Sequence, residues 1–334
     1  MESVALFTAA QRRELFLETA ARKRMTPSIV EKDFWVCWAL GRLFANSTLS
    51  RLLMFKGGTS LSKVFNLIHR FSEDIDLVLD WRVVVGQENP MGQRSASKQA
   101  ILNQAMNDNA MNYICSELLA KISSAVTPTC HCEIASEDLF VVNIQYPAAF
   151  SDSYLRPNIR LDIRPLASWI PSHDYSIRSY ASEAFPEFFL NPSCNVKSIC
   201  AERTFWEKAT ILHHEAHRPE GSAQQLRYSR HYYDLAMMAL SPVKNAALKD
   251  LELLNDVVEF KRRFYSRGWA RYENAIPGSF RLVPRGHVLA AVETDYAQMR
   301  NMIFGRYPNL DEILSHTANS VFIVMTTTNY NDNS

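Results

Sequence analysis

The segment Arg51 to Asp80, RLLMFKGGTSLSKVFNLIHRFSEDIDLVLD, constrains the chain more than any other. An apolar strand, LLMF, runs into Gly57-Gly58. Paired glycines allow a tight turn and close approach of a ligand to the backbone, and Thr59 or Ser60 is placed to cap a helix starting there. The first amides of such a helix face a phosphate with a partial positive charge. A second strand follows and carries Asp74-Ile75-Asp76. Side chains two apart on a strand share a face, so the spacing predicts that both carboxylates project together while Ile75, Leu77 and Leu79 pack on the other side.

Carboxylates set side by side repel unless a cation is shared between them, and a phosphate-facing pair suits Mg²⁺, which prefers hard oxygen ligands. The plain alternative is a solvated strand face. Two-metal phosphoryl transfer calls for a third carboxylate. In NIRLDIRP, Asn158, Arg160, Asp162 and Arg164 alternate with Ile159, Leu161 and Ile163, which makes Asp162 the candidate. Its alternative is an ion cluster with the flanking arginines.

The rest of the chain frames this segment. Helices are expected over Thr8 to Lys23 and from Thr26-Pro27-Ser28 through Phe44, with Pro27 just inside the start. Further strands are expected at Phe140 to Tyr146 and Ile159 to Ile163. A long helix is expected over Lys98 to Ile122, bearing Ile101, Ala105, Ile114, Leu118 and Ile122, after a polar loop at Val85 to Ser97. Beyond Pro192 only helical patterns remain: Cys200 to His217, Ser229 to Leu240, Leu248 to Tyr265, His287 to Phe304 and Leu310 to Met325. The expected fold class is α/β (α+β), a mixed sheet with flanking helices over residues 1–192 followed by an all-helical half over 193–334. The polar stretches Arg218 to Gln225 and the final NYNDNS read as mobile.

The 36 basic and 35 acidic residues nearly cancel, so any nucleic-acid contact has to come from a local patch. Phe260 to Gly286 is that patch: seven Lys and Arg side chains oppose Glu273 alone, for a local charge of +6, with Phe264, Tyr265, Trp269, Tyr272 and Phe280 interleaved. Basic residues with aromatics suit RNA; the alternative is a core in which the arginines snorkel outward. His213 and His217 stand one helical turn apart, a weak zinc pattern, and Cys130-His131-Cys132 splits its sulfurs from its imidazole across a strand. Six scattered cysteines and the start MESVALFTAAQRREL predict a reduced, cytoplasmic setting, and no apolar run approaches the roughly 20 residues of a membrane helix.

The blocks KDFWV (Lys32 to Val36), FKGGTSLSK (Phe55 to Lys63), RFSEDIDL (Arg70 to Leu77), ERTFWEKATILH (Glu202 to His213) and RHYYDLAMM (Arg230 to Met238) resemble, in order, those of the AbiEii/AbiGii nucleotidyltransferase toxins within the polymerase-beta-like superfamily. The gap from Gly58 to Asp74 is longer than that superfamily usually shows. The resemblance implies Asp74 and Asp76 as metal ligands, Gly57, Gly58 and Ser60 along the triphosphate, Lys208 as the catalytic lysine and Asp234 as its helical aspartate. From the residues alone, Lys208 reads first as a solvated lysine beside Glu202 and Glu207, and Asp234 either orients Lys208, binds substrate or pairs with Arg230. Lys56 and Lys63 are further phosphate candidates. The expected activity is transfer of a nucleoside monophosphate from an NTP to an acceptor hydroxyl, with Asp162 also a candidate to take the hydroxyl proton. The resemblance implies an RNA acceptor, tRNA in particular, and a toxin role beside an antitoxin, in growth arrest or phage defence. A small-molecule or protein acceptor, or an inert binding module, are the competing readings.

Overall fold

The computed structural model describes residues 1–152 and 155–322. By its contacts the chain forms two compact units. Among the described residues, the first comprises residues 1–65, 71–90 and 101–199, and the second comprises residues 66–70, 91–100 and 200–322.

The first unit is built on a seven-stranded mixed sheet: β1 (Leu53–Lys56), β2 (Asp74–Leu79), β3 (His131–Ala135), β4 (Asp138–Gln145), β5 (Asn158–Arg164), β6 (Ser172–Arg178) and β7 (Ser193–Ile199). The spatial order is β3-β4-β5-β2-β1-β7-β6. Alternation sets the register. Ile75, Leu77, Leu79, Ile159, Leu161 and Ile163 face one core together with Phe34, Trp35 and Phe55, so the alternate residues of β2 and β5 face away from it. On that second face Met54, Val78 and Ile199 form a small apolar cluster against Ala167 and Trp169. β7 lies beyond the boundary expected near Pro192. It pairs with β1 and β6, so the α/β unit runs to Ile199.

The N-terminal helices fall where their caps predict. Thr8 accepts from Gln11 N and closes a capping box before Ala9–Lys23, and Thr26 caps Pro27–Ala45. The long helix covers Ala96–Tyr113 and Leu119–Val126, joined by a π-turn at Ile114–Leu118. Its buried row is Leu102, Met106, Ala110, Ile114, Leu118 and Ile122, whereas Ile101 is 70% exposed. A row at every fourth residue drifts by about 40° per step around an α-helix, and the wider π-turn brings it back toward the sheet.

The second unit is helical: Ala201–Glu215, Ser229–Ala239, Pro242–Lys249, Leu251–Phe264, His287–Gln298 and Leu310–Phe322. The single helix expected over Leu248 to Tyr265 is broken at Asp250, whose Oδ1 accepts from Leu253 N (2.9 Å) and so starts a new helix. The expected continuation to Met325 and the final NYNDNS lie outside the described residues. Among the described residues, no helix is long and apolar enough to cross a membrane.

Candidate active site

β2 places Asp74 and Asp76 on the sheet face away from the main core, both half-buried. β5 runs parallel beside it with Asp74 opposite Arg160 and Asp76 opposite Asp162, so the three carboxylates share one face and two adjacent strands. On the other flank, Lys56 of β1 is the cross-strand partner of Asp76. Gly57 follows with φ +84°, in the left-handed region that suits glycine. A Cβ at Gly57 would stand 2.6 Å from Asp76 Cγ. The glycine is therefore required twice, by its backbone and by the carboxylate seated on it.

The Gly57–Lys63 helix begins at Lys56 without a side-chain cap, so Thr59 and Ser60 do not cap it as expected. Thr59 Oγ1 instead donates to the Asp74 carbonyl (2.5 Å), fastening the helix to the start of β2. Ser60 Oγ donates to the Gly57 carbonyl (2.9 Å), and Gly58 occupies the second helical position. Lys63 turns away from the phosphate role expected of it. Its ammonium pairs with buried Asp33 at 2.7 Å and lies 4.0 Å from the centre of the Tyr180 ring.

Asp33 belongs to a run of three charged residues, Glu31, Lys32 and Asp33, that the helix buries. Each has a specific load. Glu31 accepts from the amides of Ala149 and Phe150, and Asp33 accepts from Tyr180 N as well as from Lys63. Lys32, 1% exposed, donates to Glu73 Oε2 at 2.6 Å and to the Arg156 carbonyl at 2.8 Å. Glu73 immediately precedes Asp74, so one helical turn braces both the carboxylate strand and the far end of the glycine helix.

Asp74 Oδ1 is buried with no hydrogen-bond partner; its nearest cations, Arg156 and Arg160, stand 3.8 and 3.9 Å away. Burial, and then the neighbouring Glu73 carboxylate, push the Asp74 carboxyl above its ordinary range. A stranded buried oxygen next to a second carboxylate, in a cradle emptied by glycine, fits a divalent cation. Asp162 is not gathered in with them. Its Oδ1 accepts from Arg164 Nε at 2.6 Å, as the flanking-arginine alternative has it. Among the described residues no three His, Cys, Asp or Glu side chains are drawn together as a metal site.

The helical unit holds the other two residues. Asp234 is fully buried between Arg70 (Nε to Oδ1 2.7 Å, Nη2 to Oδ2 2.9 Å) and Lys208 (2.7 Å). Despite burial, these two cations hold its carboxyl well below the usual range. It anchors Lys208 and does not pair with Arg230 at helical spacing. Burial, opposed by Asp234 and reinforced by Arg70, lowers Lys208 below the ordinary lysine range, and its Nζ lies 3.2 Å from His231 Nδ1. Arg70 was missed from the sequence as a member of this group; its place in the RFSEDIDL block was the available signal.

Two minor patterns resolve as structural. Arg281 N–H donates to His213 Nδ1 (3.0 Å), which leaves Nε2–H to donate to the Arg271 carbonyl (2.9 Å), so no ring nitrogen is left for zinc. Cys130 and Cys132 are buried and His131 is exposed. In the basic region, Phe264 and Tyr272 are buried, Phe280 stacks on Trp206, and Trp269 packs on His214. Most of the aromatics thus serve the core, while Arg262, Arg267, Arg271, Arg281 and Arg285 are exposed.

A family model described as the nucleotidyl transferase AbiEii toxin of a type IV toxin–antitoxin system matches residues 38–316. Among solved structures, MenT4, a nucleotidyltransferase toxin of Mycobacterium tuberculosis, is similar with a TM-score of 0.52 and 15% identity over 96% of this chain and 90% of that one. At that identity the likeness is one of fold. JHP933 from Helicobacter pylori is similar with a TM-score of 0.38 and 12% identity, over 88% of this chain and 92% of that one, and carries no argument. No match was found among curated proteins.

Proposed function

Because the chain belongs to the AbiEii family of nucleotidyltransferase toxins, whose members are the toxins of type IV toxin–antitoxin systems, we propose that it transfers a nucleoside monophosphate from an NTP to an RNA hydroxyl, tRNA in particular, with Mg²⁺ held by Asp74 and Asp76. The observation that carries this reading is the seating of the Asp76 carboxylate on Gly57 beside the stranded oxygen of Asp74. The family generally uses a divalent metal; when bound, that ion supplies charge neutralisation for the triphosphate and activation of the attacking hydroxyl.

The chain's own residues do the rest. Gly57 and Gly58 let the triphosphate approach the backbone, the first amides of the Gly57–Lys63 helix donate to it, and Lys56 adds a cation. The acceptor oxygen attacks the α-phosphorus, the bond to the pyrophosphate oxygen breaks, and the hydroxyl proton passes to Asp162. Lys208, oriented by Asp234, is the proposed catalytic lysine. Thr59, Ser60 and Lys63 keep the glycine helix in place. The exposed arginines between Arg262 and Arg285 are the proposed RNA contacts.

The test is to incubate the purified protein with each labelled NTP, Mg²⁺ and total RNA, and to follow the label. Label in RNA, lost on chelation and lost in Asp76→Asn with the fold intact by circular dichroism, is the expected result. Label in a small molecule or on protein would replace the acceptor; activity in Asp76→Asn would remove the metal role.

A further inference from the structure

The face that carries Asp74 and Asp76 holds its third carboxylate back, and one arginine does the holding. Arg164 forks: Nε donates to Asp162 at 2.6 Å and Nη2 to Asp138 at 2.5 Å, while the guanidinium lies 4.4 Å from the centre of the Phe140 ring. Asp162 sits opposite Asp76 in the strand register, one strand spacing away on the same face. Its distance from the pair is therefore a matter of side-chain rotation and not of fold. The arginine has two holds apart from Asp162, so the Nε bond can break while Asp138 and Phe140 keep the guanidinium in place. The Arg164 side chain is 41% exposed and that of Asp162 34%, which leaves room for the exchange.

We infer that Arg164 is a positioning residue that latches Asp162 away from Asp74 and Asp76, so that the three-carboxylate site assembles only when a cation competes the latch open. This rests on the reading of the face as a metal–nucleotide site. It explains why three aligned carboxylates are not drawn into one cluster, and it makes nucleotide-free metal binding weak.

The probe is Mn²⁺, titrated calorimetrically into nucleotide-free protein. Arg164→Gln is expected to bind Mn²⁺ roughly tenfold more tightly, the size expected from releasing one charge-assisted hydrogen bond. The gain is expected to vanish in Arg164→Gln combined with Asp162→Asn. Arg160→Gln removes a cation 3.9 Å from Asp74 itself and frees no carboxylate from Arg164, so any gain it gives is expected to survive Asp162→Asn. Arg164→Lys, which cannot fork to both carboxylates, serves if Arg164→Gln folds poorly and is expected to show a smaller gain of the same sign. An affinity unchanged or weaker in Arg164→Gln, or a gain in Arg164→Gln that survives loss of Asp162, would each overturn the latch. If wild type binds Mn²⁺ through Asp76 and Arg164→Gln gains nothing, the latch alone fails. If wild type and every variant bind none, the metal reading falls and the latch with it.

Discussion

Gly57 and Asp76 meet so closely that no side chain fits between them: a Cβ on Gly57 would lie 2.9 Å from Asp76 Cβ and closer still to the carboxylate. Gly57→Ala would force that carboxylate aside and strain a backbone at φ +84°. We expect nucleotide transfer to fall by roughly a hundredfold, as for loss of a transition-state contact, with a stability cost of about 1–3 kcal/mol. Steady-state kinetics and urea unfolding of the variant check this. An alanine variant with wild-type turnover would show that Asp76 does not need this seat.

Lys32 and Glu73 make a second pair with consequences for the site. Lys32→Met leaves Glu73 buried beside Asp74 without its cation, a change expected to cost about 3–5 kcal/mol of stability. Lys32→Met with Glu73→Gln should recover part of that, because the orphaned charge is gone. A double-mutant cycle by chemical unfolding measures the coupling. Additive costs would mean that the pair does not act as a unit.

These two pairs mark how far the sequence can be read. β1 and β4 were legible as short apolar runs buried on both faces, β5 alternates strictly and β2 alternates over Asp74 to Leu77, and the Asp74, Asp76 and Asp162 face followed from the alternation in β2 and β5. β6 was not: SHDYSIR is an edge strand with one buried side chain, Ile177, and so shows no apolar pattern. The charged run Glu31-Lys32-Asp33 reads locally as a polar helix face, since burial of a charge is visible only through partners far along the chain. Lys63 looked like a phosphate ligand for the same reason; its partner Asp33 lies on a different element. Arg70 and Asp234 are 164 positions apart, and nothing short of the fold brings them together.

His213 gives the helical unit an acid limit. Buried, and with Nδ1 committed as acceptor to Arg281 N–H, it is depressed from an ordinary 6.5 to about 4. The unfolded chain takes up this proton near pH 6.5 and the folded one near 4. Its contribution is therefore complete above pH 6.5 and is lost as pH falls toward 4, a change on the order of 3 kcal/mol. His214, depressed by burial to about 3, acts in the same direction. Urea midpoints followed by circular dichroism at pH 7 and 4.5 should drop for wild type and drop less for His213→Gln. Equal drops would acquit His213.

The exposed arginines separate an RNA acceptor from a small one. Within the basic region Arg263 is spent on the carbonyls of Met91 and Gly92, and Arg262 pairs with Glu259. Arg267, Arg281 and Arg285 are exposed and better placed to meet phosphates. Neutralising all three to Gln should weaken RNA binding at low salt and flatten its salt dependence, because each lost phosphate contact releases about one counterion fewer. NTP affinity should hardly change if these arginines meet the acceptor and not the triphosphate. The measurement is RNA affinity against salt for wild type and the triple variant, with folding checked by circular dichroism. Parallel salt slopes would take the arginines out of the acceptor site, and an acceptor labelled equally well by both proteins at all salt concentrations would point to a small molecule.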